Sequence, residues 1–250
     1  MKFICYGLSI LALSMSATAA DLAGLLKSVR SESTAQQTST HAASVDGLNE
    51  GDVAKGLKEA LSQGAAAAVG KLGLENGFYG NEKIRIPLPA ALQKAERLLH
   101  AAGQGKSLDE LHLTINRAAE AATPQAKKLL LDAIRKVSVQ DAKNILTGGN
   151  DAATQYFRKA TAAELHDKFL PIVSKSVGKL GVAEKYNQIA GKASKLGLLD
   201  EKQASMQEYV TQKALDGLFV MIADEELAIR QNPMQRTGVW IKKVFGAIGQ

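Results

Sequence analysis

The sequence predicts an all-α fold: a single multi-helix, bundle-like domain with a buried central C-terminal helix and at most one short extended segment near residues 82–88. Three observations carry this. Apolar residues recur at three- and four-residue spacings from Asp52 almost to the C-terminus. Helix start and stop signals follow one another closely. Alternation of apolar and polar residues, the mark of a strand, is confined to Ile84-Arg85-Ile86.

Residues 1–20 precede the domain. Lys2 is followed by an apolar run at 3–15 and by Ser16-Ala17-Thr18-Ala19-Ala20, the pattern of a secretory signal peptide cleaved after Ala19 or Ala20. The run is shorter than the roughly 20 residues a membrane-spanning helix requires. A periplasmic protein is therefore expected. The one cysteine, Cys5, leaves with that peptide, so disulfides, thiolate metal sites and cysteine nucleophiles are excluded from the mature chain. Residues 21–45 read as a short helix and a flexible linker, because 31–45 has no apolar period with which to offset ordering. The helical domain is expected at 46–250.

Within it, helices are expected near 52–72, 89–102, 108–122, 124–137, 139–147, 151–159, 162–180, 182–196, 201–231 and 235–246. Val69-Gly70-Lys71-Leu72-Gly73-Leu74 and Val177-Gly178-Lys179-Leu180-Gly181-Val182 read as stops, with Gly73 and Gly181 left-handed just past the helix, and Gly197 marks a third. Capping boxes are expected at Ser107 with Glu110 and Thr161 with Glu164. Asp141 completes a cap with Ser138, and Thr123-Pro124 supplies an N-cap and a first-turn proline. Between Gly73 and Pro89, glycines and prolines interrupt the helices. The stretch Ala214 to Ala223 is apolar around the whole helix apart from Asp216, which makes this the buried central helix. Asp216 is then expected to be a buried carboxylate with Arg85, Arg117 or Arg230 as partner. Gly217 would admit a neighbouring helix, and Glu226 and Arg230 are spaced as an i,i+4 pair.

The chemistry-bearing motifs are largely missing. The chain has 31 basic and 25 acidic side chains, interspersed, with aromatics at 5%, which is not the clustered basic and aromatic surface of a nucleic-acid binder. Gly103-Gln104-Gly105-Lys106-Ser107 lacks the earlier glycine and the strand of a phosphate-binding loop, and reads as a glycine turn. His41, His100, His112 and His166 share no ligand spacing, and neither Glu-x-x-His nor Gly-x-Ser-x-Gly occurs, so no metal and no cofactor are expected. Asn116 and Glu120 form a polar pair along the edge of an apolar stripe, read as fixing a neighbouring helix. Glu120, Asp216 and Glu225 are the candidate catalytic carboxylates. Asn116, Arg117 and Arg230 are the candidate ligand-binding residues.

Several motifs lie in one order: Ile84-Arg85-Ile86-Pro87-Leu88-Pro89, Asn116-Arg117-Ala118-Ala119-Glu120, Asp141-Ala142 with Ile145-Leu146, and Ala152-Ala153-Thr154-Gln155-Tyr156-Phe157. Leu215-Asp216-Gly217-Leu218-Phe219, Glu225-Glu226 and Ile229-Arg230-Gln231-Asn232-Pro233 follow. Together they resemble the exported bacterial family called domain of unknown function 4197, over about residues 50–248. The resemblance implies a signal-bearing, helical, single-domain protein and carries no activity.

The expected function is that of an exported helical protein that binds an envelope partner or a small ligand. One alternative is an enzyme with a carboxylate site built across helices, and whether any reaction is catalysed stays open. The other is a peripheral membrane-surface binder using residues 235–250, where Trp240 and Phe245 lie among Arg236, Lys242 and Lys243.

Overall fold

The computed structural model describes residues 50–101, 103, 105–195 and 205–232, and among them the chain is all-α. α1 (Glu50–Leu72) is followed by α2 (Ala90–Ala101), α3 (Gly105–Ala122) and a 3-10 turn at Thr123–Gln125. Then come α4 (Ala126–Lys136), α5 (Val139–Thr147), α6 (Ala152–Val177), α7 (Gly181–Lys195) and α8 (Met206–Gln231). Residues 82–88 form no strand among the described residues. The expected signal peptide, the 21–45 leader, the Gly197 stop and the 235–246 helix lie outside the described residues.

α8 is the central helix, as its apolar run predicts. Leu215, Gly217, Leu218, Phe219, Met221 and Ile222 are buried and spread over more than half of the helix circumference. The helix packs against α1, α3, α6 and α7. Small residues set its distance from α1: a Cβ on Gly64 would stand 3.4 Å from Ile229 Cδ1.

α6 joins two helices that the sequence separates at residues 159–162. Ala153, Phe157, Thr161, Leu165, Phe169, Val173 and Val177 are all buried, at a spacing of four. Four residues overshoot the 3.6-residue turn, so the stripe winds around the helix and meets α8, α3, α4 and α5 in different places. Thr161 does not cap. Its hydroxyl donates to the Phe157 carbonyl at 2.7 Å, bonding back into the helix it was expected to begin. Pro171 is inside the same helix but on its exposed side, where the missing backbone bond is least costly.

Other end signals divide in the same way. Ser107 lies inside the first turn of α3, and the Thr123 hydroxyl donates to the Ala119 carbonyl at 2.8 Å, so neither is an N-cap. The Ser138–Asp141 box forms in both directions. α8 starts on a cap not anticipated, Ser205, whose hydroxyl accepts from Glu208 N at 3.2 Å. α1 stops at Leu72 as predicted, whereas α6 stops at Val177, three residues before the expected end at 180, and neither Gly73 nor Gly181 is left-handed. Gly178 ends α6 in right-handed geometry, and Gly181 already belongs to α7. Among the described residues the positive φ values fall at Asn76 (66°) and Gly103 (75°).

Where α5 ends and α6 begins, α8 supplies an acid and a base. The carboxylate of buried Glu226 accepts from Ala153 N at 3.0 Å, Thr154 N at 2.9 Å and Thr154 Oγ1 at 2.8 Å. It thereby closes the N-terminus of α6, the positive end of that helix dipole. Arg230 donates to the carbonyls of Ile145 at 2.8 Å and Leu146 at 3.4 Å, at the negative end of α5. The expected pair forms too, with Arg230 Nη2 2.8 Å from Glu226 Oε1.

Glu226→Gln keeps the volume but removes the charge facing Arg230 and one acceptor position. It is expected to cost about 2–4 kcal/mol in chemical denaturation. Gly181→Ala is the opposite case, because an added Cβ meets nothing within 4 Å. Stability there should be unchanged or higher by about 0.5–1 kcal/mol. If Glu226→Gln left the protein as stable as the parent, the bolt between α5, α6 and α8 would be contradicted.

Candidate functional site

Residues 73–89 form a strap lying against α3 and α8. Glycines and prolines keep it out of a helix, so its backbone polar groups need other partners. Turns take some: Gly77 N–H donates to Leu74 O, Gly80 N–H to Asn76 O, and Ile84 and Arg85 N–H to Asn81 O. Only glycine fits at 77, where a Cβ would lie 2.5 Å from the carbonyl oxygens of Lys71 and Leu72.

Two buried side chains of α3 take others. Glu120 Oε1 accepts from Phe78 N at 3.0 Å and Tyr79 N at 3.1 Å. Asn116 Oδ1 accepts from Ile86 N at 2.8 Å, while its Nδ2 donates to Ile86 O and His112 O, both at 2.9 Å. An amide that pairs with both polar groups of one residue reproduces a hydrogen-bonded β pair, which orders the strap without a second strand. Arg117 Nη1 donates to Glu120 Oε2 at 2.6 Å, and Nη2 reaches Glu75 at 2.9 Å and Asn76 at 3.0 Å. The bond to Glu120 pushes the Arg117 guanidinium up from its ordinary value.

On the other side the strap meets α8. A Cβ on Gly217 would stand 2.6 Å from Phe78 Cε1, so this glycine admits a ring of the strap and not, as expected, another helix. Lys83 pairs with Asp224 at 2.5 and 2.7 Å. The Tyr209 hydroxyl donates to Pro87 O at 3.0 Å. Burial, with Tyr186 nearby, pushes the Tyr209 phenol up to about 12. Outside, Arg85 Nε donates to Tyr79 O at 2.6 Å with its guanidinium 5.3 Å from the Tyr79 ring centre, and Tyr79 meets His112 edge-on at 5.6 Å.

Of the candidate residues, Asn116, Arg117 and Glu120 come together on the strap. Arg230 sits at the junction of α5 and α6, and Glu225 is buried against α1 with Lys71 Nζ at 2.6 Å. Asp216 is not buried: its side chain is 40% exposed, it accepts from Gln212 at 3.1 Å, and Arg158 stands 3.6 Å away. None of Arg85, Arg117 or Arg230 is its partner. The reason is a narrow outward strip on α8, in which Gln212, Lys213, Asp216, Val220 and Ala223 remain in contact with solvent. Arg158, on α6, lies over the Phe219 ring at 4.5 Å and reaches that strip. The carboxylates α8 does bury are Glu225 and Glu226. Glu120 engages the strap amides and Arg117, Asp216 engages Gln212 and Arg158, and Glu225 engages Lys71. Among the described residues, no group of three or more histidine, cysteine or carboxylate side chains is placed to hold a metal.

Between the strap and α8 runs a groove of about 230 Å³. Lys83, Ile84, Arg85, Ile86 and Pro87 form one wall, and Lys213, Asp216, Gly217 and Val220 the other. The residues that hold its strap wall, Asn116 on α3 and Tyr209 on α8, are remote from one another in sequence.

Asn116→Leu removes both bonds to Ile86 and leaves a buried N–H and C=O unpaired. A loss of roughly 2–4 kcal/mol is expected in denaturant unfolding. An alkaline ultraviolet titration should show a last tyrosine ionising near pH 12, and Tyr209→Phe should abolish that step. Because the folded value lies above the ordinary one of about 10, the stabilisation is intact below pH 10 and is lost as pH rises toward 12. Uniform titration near 10 would contradict burial of Tyr209 beneath the strap.

No curated protein and no solved structure matches the chain. A family model described as a protein of unknown function, DUF4197, matches residues 47–246, a span that contains the eight helices of the described residues and both walls of the groove. The chain belongs to the DUF4197 family.

Proposed function

We propose that this protein is an exported, non-catalytic binding protein of the cell envelope, which receives a small ligand in the groove between the strap and α8. The groove itself carries the reading: its strap wall is tied down by Asn116 and Tyr209 and its other wall is the helix α8, so it is formed before any ligand arrives. Preformed walls suit binding. The carboxylates that would serve an enzyme are otherwise engaged, Glu120 on strap amides and Glu225 on Lys71, which leaves Asp216 as the one acid lining the groove. Export rests on residues 1–20 and their signal-peptide pattern. No helix among the described residues is long and apolar enough to cross a membrane.

Native mass spectrometry of the protein recovered from its own periplasm tests both parts. The expected species begins at Ala20 or Asp21 and carries a small-molecule adduct that is lost on activation. A chain that retains residues 1–20 and fractionates with cytoplasm would contradict export. A bare protein that stays bare after incubation with periplasmic extract would contradict the binding reading.

A further inference from the structure

The groove's charge is specific enough to name the ligand class, an inference that rests on the binding reading above. Four charged side chains line it, and two are neutralised: Lys83 by Asp224, and Asp216 by Arg158 with Gln212. Two cations remain, Arg85 and Lys213, on opposite walls.

Arg85 is exposed yet held in place. Its Nε donates to Tyr79 O, its guanidinium lies over the Tyr79 ring 5.3 Å from the ring centre, and that ring meets His112 edge-on. Both Nη groups are without a partner among the described residues. An arginine fixed through Nε presents its two Nη groups as a planar fork, the geometry that matches two oxygens of a carboxylate or phosphate. Much of the side-chain ordering is then complete before binding. Lys213, also without a partner among the described residues, adds a mobile point charge from α8.

Other ligand classes fit less well. A cation would face both free charges. An extended peptide adding a strand would need backbone donors, but Arg85 N–H is bound to Asn81 O, Ile86 N–H to Asn116, and Pro87 has none. Ile84, Ile86, Pro87 and Val220 supply apolar wall for a short carbon body.

We infer that Arg85 and Lys213 form an anion site, and that the ligand is a compact, soluble molecule bearing a carboxylate or a phosphate monoester. The test is a backbone-amide NMR titration of the purified chain with glycerol 3-phosphate, succinate and neutral glycerol in parallel. At least one of the two anions should shift amides of residues 84–88 and 213–220 saturably, and glycerol should not. Arg85→Gln should weaken that binding by about tenfold or more, and Lys213→Gln by several-fold. Lys128→Gln, on α4 and paired only with Asp132, removes the same charge away from the groove and should change nothing. Equal binding of glycerol at these amides would overturn the anion site while leaving the binding reading intact. Absence of saturable shifts with either anion, or an unchanged affinity in Arg85→Gln, would overturn it as well.

Discussion

The fold depends on side chains that answer for backbone outside the helices. A helical chain satisfies its own N–H and C=O groups except at helix ends and in segments that cannot coil, and in a packed interior those groups need partners. Among the side chains that meet that need are four on α3 and α8. Asn116 and Glu120 take up the strap, and Glu226 and Arg230 take up the ends of α6 and α5. They come in two pairs spaced i,i+4, one on α3 and one on α8, so one face of each helix fastens chain from another part of the fold. The helices thereby position the strap, and the strap makes the groove.

This arrangement explains what the family motifs have in common. Ile84 to Pro89 and Asn116 to Glu120 are two sides of one contact. The stretch from Ala152 to Phe157 and Glu226 are two sides of another, and Ile145-Leu146 and Arg230 two sides of a third. Leu215-Asp216-Gly217-Leu218-Phe219 contains the glycine that seats Phe78. The resemblance therefore marks the fastening of the fold, and functional specificity has to be sought beside it. Arg85 lies within a motif but faces outward, and Lys213 lies just outside one.

The helical architecture was legible from periodicity and from Gly, Pro and Ser placement, because helix ends are local events. α5 with its Ser138–Asp141 cap shows this most directly. Thr161 shows the limit: its local pattern reads as a start, but the four-residue apolar spacing running through it keeps α6 intact. Asp216 shows another limit. An apolar run reveals that a helix is central but not where its remaining open strip lies, since that depends on where the strap and α6 come to rest. Asn116 and Glu120 were visible as a polar pair and read as an edge between helices. Their true partner, the backbone of a segment some 30 to 42 residues earlier, had no sequence signal beyond the prolines and glycines that kept it from coiling.

Buried side chains here lock non-helical backbone as firmly as a helix ladder does. Native-state hydrogen exchange measures this amide by amide. The amides of Phe78, Tyr79 and Ile86, none of them in a helix, should exchange only through opening events that approach global unfolding, as slowly as those of central α8. Exchange of these three at the rate of an open loop, with α8 still protected, would contradict it.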